Sequence, residues 1–277
     1  MLMVSVHGES IPVREADTGK TVWLGGHANL LSNETIDQPL IDSIHFATKQ
    51  RSSGNSGASF AQLAATGSGE IELPSPASST RSFGEVARMR RSALDFLGGM
   101  QSMSLAELSA ILACTAQPLL ADFAGTRFIQ LYLYVHRVEG LLPGVYRFWP
   151  ERAELERVQS GDQRVVAAAL SLGQDLAGNA CLAFSMIGDL DRAAGTFGDR
   201  GYRYVHFEAG AIGQRLYLAA EALGLGATGI GAFYDDEVCR HLNLTPKQGQ
   251  VVYHFAIGYP VPDSRISASN DSQEITW

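Results

Sequence analysis

The sequence predicts an α+β protein built on antiparallel strands, and three observations carry that expectation. Phe128 to Val135 (FIQLYLYV) is aromatic and apolar enough for a buried strand. A turn from Gly140 to Gly144 with Pro143 inside it follows, and Val145 to Phe148 returns as a second strand, which makes a hairpin. Phe207 to Leu223 is the most regular helix in the chain, with Ile212, Leu216, Ala219, Ala220 and Leu223 on one stripe. Hairpin strands mixed with long helices point away from alternating βαβ units.

The remaining elements follow in chain order. Val4 to Leu31 alternates polar and apolar residues over short distances and carries several turn residues. Asn33 to Thr48 holds a short helix with Ile36, Leu40, Ile44 and Phe46 as its apolar positions. Arg51 to Thr80 is rich in Ser, Gly and Ala and can bury little, so it reads as a flexible or surface-draped arm. Residues 1–80 are therefore expected to form an N-terminal extension and arm, and residues 81–277 one domain. Phe83 to Phe96 reads as a helix start around Arg90-Arg91. Ser104-Leu-Ala-Glu107 is a capping-box pattern, with Leu105, Leu108, Ile111 and Leu112 at helical spacing behind it. Asp162 to Gly178 is Ala/Leu-rich and helical, Ala180 to Ile187 is a strong strand, and Val251 to Ile257 is the last one, closing at Gly258-Tyr259-Pro260. No internal repeat is present.

Composition excludes several function classes. The 277 residues are 45% apolar and 18% charged, an ordinary globular balance. A formal net charge of −8 without a basic block argues against affinity through nucleic-acid phosphates, and it repels anionic membrane surfaces. Three cysteines (Cys114, Cys181 and Cys239) at wide spacing fit neither a disulfide framework nor a zinc site, and are expected to be reduced and mostly buried. The N-terminus lacks a charged n-region and apolar h-region, and no apolar run reaches the ~18 residues of a membrane span. A soluble cytoplasmic protein with no nucleic-acid and no membrane partner is the expectation.

Glycine is the compositional outlier, with 29 residues. Gly224-Leu-Gly226-Ala-Thr-Gly229 matches the dinucleotide-binding G-x-G-x-x-G pattern letter for letter. That pattern needs a strand before it and a helix after it, whereas here a helix precedes and a strand is predicted from Ile230 to Phe233. A helix C-cap at Gly224 or Gly226 accounts for part of the segment. The small residues from Thr228 to Phe233 leave a backbone that could lie flat against a planar ligand, with exposed N–H groups to donate to ring nitrogens or carbonyls.

Several segments together resemble the FMN-dependent nitroreductase superfamily. Arg90-Arg91-Ser92-Ala-Leu-Asp-Phe96 resembles its RRSxRxF motif. The SagB-type dehydrogenase branch is resembled by Gly198-Asp-Arg200-Gly201-Tyr202-Arg203-Tyr204 through Glu208 and Gly210, by Leu225 to Phe233, by Leu142-Pro-Gly144-Val-Tyr146 and by Ala256-Ile-Gly258-Tyr-Pro260. The ordered set covers roughly residues 81–262. The resemblance implies a nitroreductase-like flavin-binding fold, a central mostly antiparallel sheet flanked by helices, and a homodimer with FMN at the interface. It also implies a cofactor site from Arg90, Arg91 and Ser92, with Arg90 and Ser92 placing a charge and a hydroxyl near the phosphate; from Gly231, whose N–H meets the flavin, with Ile230 and Ala232 beside it; and from Arg265 as a second phosphate ligand. Arg203 is expected to serve as an ion-pair partner for Glu208 or a neighbour.

The chain departs from the family pattern at three places. The second arginine of RRSxRxF is Leu94, so a cation expected near the reduced flavin is missing, and Arg127 is a candidate substitute. The family's serine-alanine-glycine segment reads Ala124-Gly125-Thr126. Azoline-oxidising members carry a Lys-Tyr pair where this chain has Thr196-Phe197, neither of which can act as a base. The reading that results is an FMN-dependent oxidoreductase acting on a peptide, a carrier-bound intermediate or a small molecule. The alternatives are a non-catalytic scaffold subunit that has lost flavin chemistry, and an NAD(P)H-dependent nitro or quinone reductase.

Overall fold

The computed structural model describes residues 32, 34, 36–49, 68–117, 119, 121 and 127–263. Their order is α1 (Pro39–Ala47), β1 (Ile71–Glu72), α2 (Phe83–Met89), α3 (Leu105–Ala116), β2 (Ile129–Val135), β3 (Gly144–Trp149), β4 (Glu154–Ser160), α4 (Arg164–Leu170), α5 (Leu176–Asn179), β5 (Leu182–Gly188), α6 (Leu190–Phe197), α7 (Gly201–Ala222), β6 (Gly226–Ile230), α8 (Asp235–His241) and β7 (Gln250–Gly258). The strands form one sheet in the order β1-β4-β3-β2-β5-β7-β6, with every neighbouring pair antiparallel. The α+β expectation holds.

Both faces of the sheet are covered, which is why its central strands read as continuous apolar runs. Leu131, Leu133 and Val135 of β2 join Phe184 of β5 and Phe255 of β7 in a core shared with α3 and α7. Tyr132 and Tyr134, pointing the other way, join Ala183 and Ala256 in a second core with Leu170 of α4, Ala177 of α5 and Val238 of α8. Helix α7 buries Val205, Ala209, Ile212, Leu216 and Ala220 at helical spacing and begins six residues before the predicted Phe207.

Local chemistry sets the element ends. Ser82 with Glu85 and Ser104 with Glu107 each complete a capping box at the starts of α2 and α3. Helix α7 closes with the Gly224 N–H donating to Glu221 O at 3.1 Å and the Leu225 N–H to Ala220 O at 2.8 Å, a Schellman motif. Gly224 adopts φ +79°, the left-handed geometry that position needs. The predicted helix from Asp162 to Gly178 is split into α4 and α5, because Leu172 and Gly173 both turn left-handed, at φ 56° and 70°. The helix expected from Phe83 to Phe96 stops at Met89, and Arg90 turns extended at ψ 125°.

Other expectations change for identifiable reasons. Helix α1 buries none of its residues, and Leu40, Ile44 and Phe46 on it, with Ile36 just before it, are exposed and face no core formed by the described residues. It is held at its end instead: Arg200 Nη1 donates to Thr48 O at 3.0 Å and Arg203 Nε to Thr48 Oγ1 at 2.7 Å. Arg203 is thus no partner of Glu208. Glu208 is buried and accepts the N–H groups of Phe128 at 2.8 Å and Ile129 at 3.1 Å, fixing the start of β2, while burial pushes its pKa up. Strand β4, absent from the sequence reading, pairs with β1 at the sheet edge, so the end of the Ser/Gly/Ala-rich stretch is docked on it. All three cysteines are free; Cys181 is buried, Cys239 half-buried and Cys114 exposed, so burial is not their common state.

Candidate functional site

Beyond α2 the chain runs extended along the far edge of β6. Ser92 bridges Ala227, Phe96 bridges Pro260, and the Ala93 N–H donates to Ala227 O at 2.9 Å. The Leu97 N–H donates to Tyr259 O at 2.8 Å and the Val261 N–H to Asp95 O at 2.9 Å. The buried Phe96 ring anchors this segment in the core under the sheet. This pairing requires extended backbone, so α2 must end before Ser92.

The edge of β6 follows strand parity. Successive residues of a strand turn their N–H groups to opposite sides. Ala227 faces away from β7, since it pairs with Ala93, and Gly229 faces the same way. The Gly229 N–H is taken by Tyr217 Oη at 2.8 Å. Gly231 lies about 7 Å further along. Its N–H and that of Ala232 donate to no acceptor among the described residues. A Cβ built on Gly231 meets nothing within 4 Å. Gly231, one residue past the end of β6, thus carries an N–H that no described residue accepts.

At the other end of this edge sits positive charge. Arg90 lies over the Tyr217 ring, 4.9 Å from its centroid, and Ser92 Oγ is 2.9 Å from Tyr217 Oη. Arg91 Nη1 donates to Arg88 O at 2.7 Å and Arg90 O at 2.8 Å. None of Arg88, Arg90 and Arg91 makes a salt bridge among the described residues, although the chain carries a net charge of −8. Unneutralised arginines beside a hydroxyl suit an anionic oxygen group. Free backbone donors further along suit a polar ring edge. Phosphate at one end and a heteroaromatic ring at the other is the donor demand of FMN, and the residues present fit it.

The loop after β6 is pinned from below. The Tyr234 N–H donates to Leu170 O at 3.0 Å, Gln174 Nε2 donates to Ala232 O at 3.4 Å, and Phe233 stacks on His254 at 4.7 Å and 25°. Beneath β6, the Tyr253 ring fills space left by two glycines: a Cβ on Gly229 would lie 1.9 Å from Tyr253 Oη, and one on Gly213 2.8 Å from its ring. Burial, then the neighbouring Tyr217, pushes the Tyr253 hydroxyl pKa up.

The residues named from sequence divide accordingly. Arg90, Ser92, Gly231 and Ala232 share the β6 edge region, with Ala232 exposed. Arg91 is turned back on the α2 end. Ile230 is 2% exposed and its side chain belongs to the core on the α4/α8 side, so only its backbone lines the edge. Arg265 and Ala124 to Thr126 lie outside the described residues. Leu94 is 52% exposed. Arg127 donates to Ala116 O and reaches Glu151 at 3.4 Å, so it is committed away from Leu94. The Thr196 hydroxyl donates to Arg192 O, and Phe197 packs edge-on against Phe128 and Tyr204, so this pair is structural. The sequence reading missed Tyr217, Tyr253 and His254. Each is a single aromatic or histidine in a regular element, and its only available signal was small residues, Gly213 and Gly229, at matching heights. No cluster able to hold a metal ion and no helix long and apolar enough to cross a membrane occurs among the described residues.

Comparison with known proteins places this site in context. Residues 87–259 match the sequence profile of the nitroreductase family. A Methanocaldococcus jannaschii protein named as a nitroreductase is 35% identical over 116 residues, which cover 42% of this chain and 59% of that one. A crystal structure of a nitroreductase-named protein from Anabaena variabilis superposes with a TM-score of 0.66 at 29% identity, over 84% of this chain and 49% of that one. The chain therefore spans between about half and three fifths of these relatives. A chain of the Escherichia coli microcin synthetase McbBCD complex, with truncated pro-MccB17 bound, shares the fold at a TM-score of 0.51 and 19% identity, over 81% of this chain and 93% of that one.

Proposed function

The chain belongs to the nitroreductase family, and from that premise we propose that it is an FMN-dependent oxidoreductase of the SagB-type branch, acting on a peptide or carrier-bound intermediate. The observation that carries the reading is the Gly231 N–H just past the end of β6, which no described residue accepts, beyond the edge where the Arg88–Arg91 cluster makes no salt bridge among the described residues. Bound FMN supplies the hydride-transfer chemistry. The chain's own residues bind and orient. Arg90, held flat by Tyr217, and Ser92 meet the phosphate; the Gly231 and Ala232 N–H groups hold the ring edge; Arg265 is proposed as a further phosphate ligand. Leu94, in the place of the family's cation, makes that side of the site apolar.

The peptide-directed part rests on the order of the SagB-like segments and on the fold shared with a chain of a synthetase complex that holds a pro-peptide. Homodimerisation is supported by apolar surface that no described residue covers: Leu40 and Ile44 on α1, and Leu94, Leu97 and Met100 along the edge segment, are all exposed.

Addition of FMN to the purified protein, followed by desalting, tests the reading. Retained flavin absorbance in the wild type, and its loss in Arg90→Ala with circular dichroism unchanged, is expected. A wild type that retains no flavin overturns it. The non-catalytic reading draws on Leu94 and on the structural commitments of Thr196 and Phe197, and it predicts bound flavin that no reductant-plus-acceptor pair turns over. NADPH oxidation with a quinone separates a general reductase from both.

A further inference from the structure

We propose that His254 is the positioning residue for the Gly231–Ala232 backbone: it fixes the edge donors through Phe233 while touching no ligand itself. His254 lies directly opposite Ile230 in the β6–β7 register, on the face away from α7, and is 3% exposed. Both of its ring nitrogens are tethered, Nε2 to Ser185 Oγ at 2.9 Å and Nδ1 to Ser171 Oγ at 3.1 Å. Ser185 Oγ donates to Tyr134 Oη at 3.1 Å. Its proton is therefore spent, and it must accept from His254 Nε2–H. A neutral ring then accepts from the Ser171 hydroxyl at Nδ1, so one tautomer satisfies the whole Tyr134–Ser185–His254–Ser171 chain.

A ring bonded at both ends cannot turn about its own axis, and that rigidity is passed upward. Phe233 stacks on its face at 4.7 Å, two residues beyond Gly231. Ser171, which holds Nδ1, belongs to the α4–α5 connector, whose Gln174 also binds Ala232, and it directly follows Leu170, the last residue of α4, which binds Tyr234. The loop is thus gripped by one connector twice, directly through its backbone and indirectly through His254. The grip matters because Gly231 and Ala232 are exposed and their N–H groups donate to no acceptor among the described residues. Fixing a residue's backbone costs about 1–2 kcal/mol, so donors held in one conformation before a ligand arrives bind it more tightly. A core histidine with no such task needs its nitrogens satisfied. It does not need its ring face occupied by the very loop that carries the free donors.

Two measurements test this, and only the second rests on the FMN reading. In the ligand-free full chain, backbone ¹⁵N relaxation gives the order parameters of Gly231, Ala232 and Phe233. These are expected near ~0.85 in the wild type and below ~0.6 in His254→Leu and Ser171→Ala, with the β2–β3 hairpin unchanged. Unchanged values at the loop, or an equal drop throughout the chain, overturn the proposal. Ser171→Ala removes one peripheral bond, so it decides the matter even where His254→Leu fails to fold. In the FMN-loaded protein, Kd is expected to rise about tenfold in the variants and the flavin reduction potential to shift, which general destabilisation would not produce. Loop loosening in a chain that never binds FMN sinks the cofactor reading and leaves the positioning role standing. FMN bound by the variants with wild-type affinity and potential overturns the positioning role and leaves the cofactor reading standing.

Discussion

Acidification should destabilise this fold through two buried histidines, His136 and His254. His136 donates from Nε2 to Ala177 O at 3.0 Å and has no partner for Nδ1 among the described residues. Burial is the largest cause of the shift in both, and each is pushed down to about 4. In the unfolded chain a histidine titrates near ~6.5. Above that pH both are neutral in both states and contribute no pH dependence. Between about 6.5 and about 4 the unfolded chain binds protons that the folded chain refuses, so stability is lost as pH falls, by about 1.4 kcal/mol per pH unit for each residue. At pH 5 that amounts to about 2 kcal/mol each and about 4 together, a large part of the ~5–15 kcal/mol typical of a domain. Asp162, held at about 2 by Arg164, stays ionised through this window, and its contribution is lost only below the ordinary carboxylate range. Glu208, with its raised value, acts in the opposite sense and offsets part of the loss. Urea unfolding at pH 7.5 and pH 5.0, at fixed ionic strength, measures the difference. Whatever His254→Leu costs at pH 7.5, its loss between the two pH values should be smaller than the wild type's by about 2 kcal/mol. Equal losses in the two proteins would refute a neutral, buried His254.

Three further outcomes follow from the contacts. Gly229→Ala drives a methyl into Tyr253 Oη, whose distance from a built Cβ is only 1.9 Å, and should cost about 1–3 kcal/mol. Tyr253→Ala in the same chain should recover part of that, so a double-mutant cycle in thermal unfolding should be strongly non-additive. Tyr217→Phe removes the acceptor of the Gly229 N–H and the partner of Ser92, and should lower stability by about 1–2 kcal/mol in urea. It should also weaken FMN retention without abolishing it. Glu208→Ala leaves the Phe128 and Ile129 N–H groups buried without an acceptor and should cost about 2–4 kcal/mol, while Glu208→Gln, which keeps a carbonyl, should cost clearly less by calorimetry.

What the sequence disclosed depended on whether a residue's job was local. The capping box of Ser104 with Glu107, the β2–β3 hairpin and the stripe of α7 are set by neighbours a few positions away, and all are where the pattern puts them. Strand β4 escaped because Glu154, Glu156 and Arg157 alternate around the single buried Leu155, so it looks like a charged loop. The ends of helices were misjudged where tertiary pairing decides them: nothing within Phe83 to Phe96 announces that Ser92 must lie flat beside Ala227, more than a hundred residues away. The same holds for the site. Arg90, Ser92 and Gly231 could be named from an ordered set of motifs, but Tyr217 and His254 could not. A tyrosine in a helical stripe and a histidine in a strand carry no mark of the backbone they hold.

The glycines between Gly224 and Gly231 show why spelling alone misleads. Gly224 is required by its left-handed turn at the end of α7. Gly226 is required by Pro260, whose Cβ would stand 2.7 Å from an added methyl. Gly229 is required by the Tyr253 hydroxyl. These three spell a phosphate-binding motif, yet each is glycine for a packing or turning reason, and none offers a free donor at a helix start. Gly231 lies outside the motif, has open space where a Cβ would be, and carries an N–H that no described residue accepts. Space alone would admit alanine there, so Gly231→Ala should fold normally in the absence of ligand. If the backbone at Gly231 lies against a flat ring, that same substitution should cost FMN affinity, and a variant that binds FMN as well as the wild type would place the ring elsewhere.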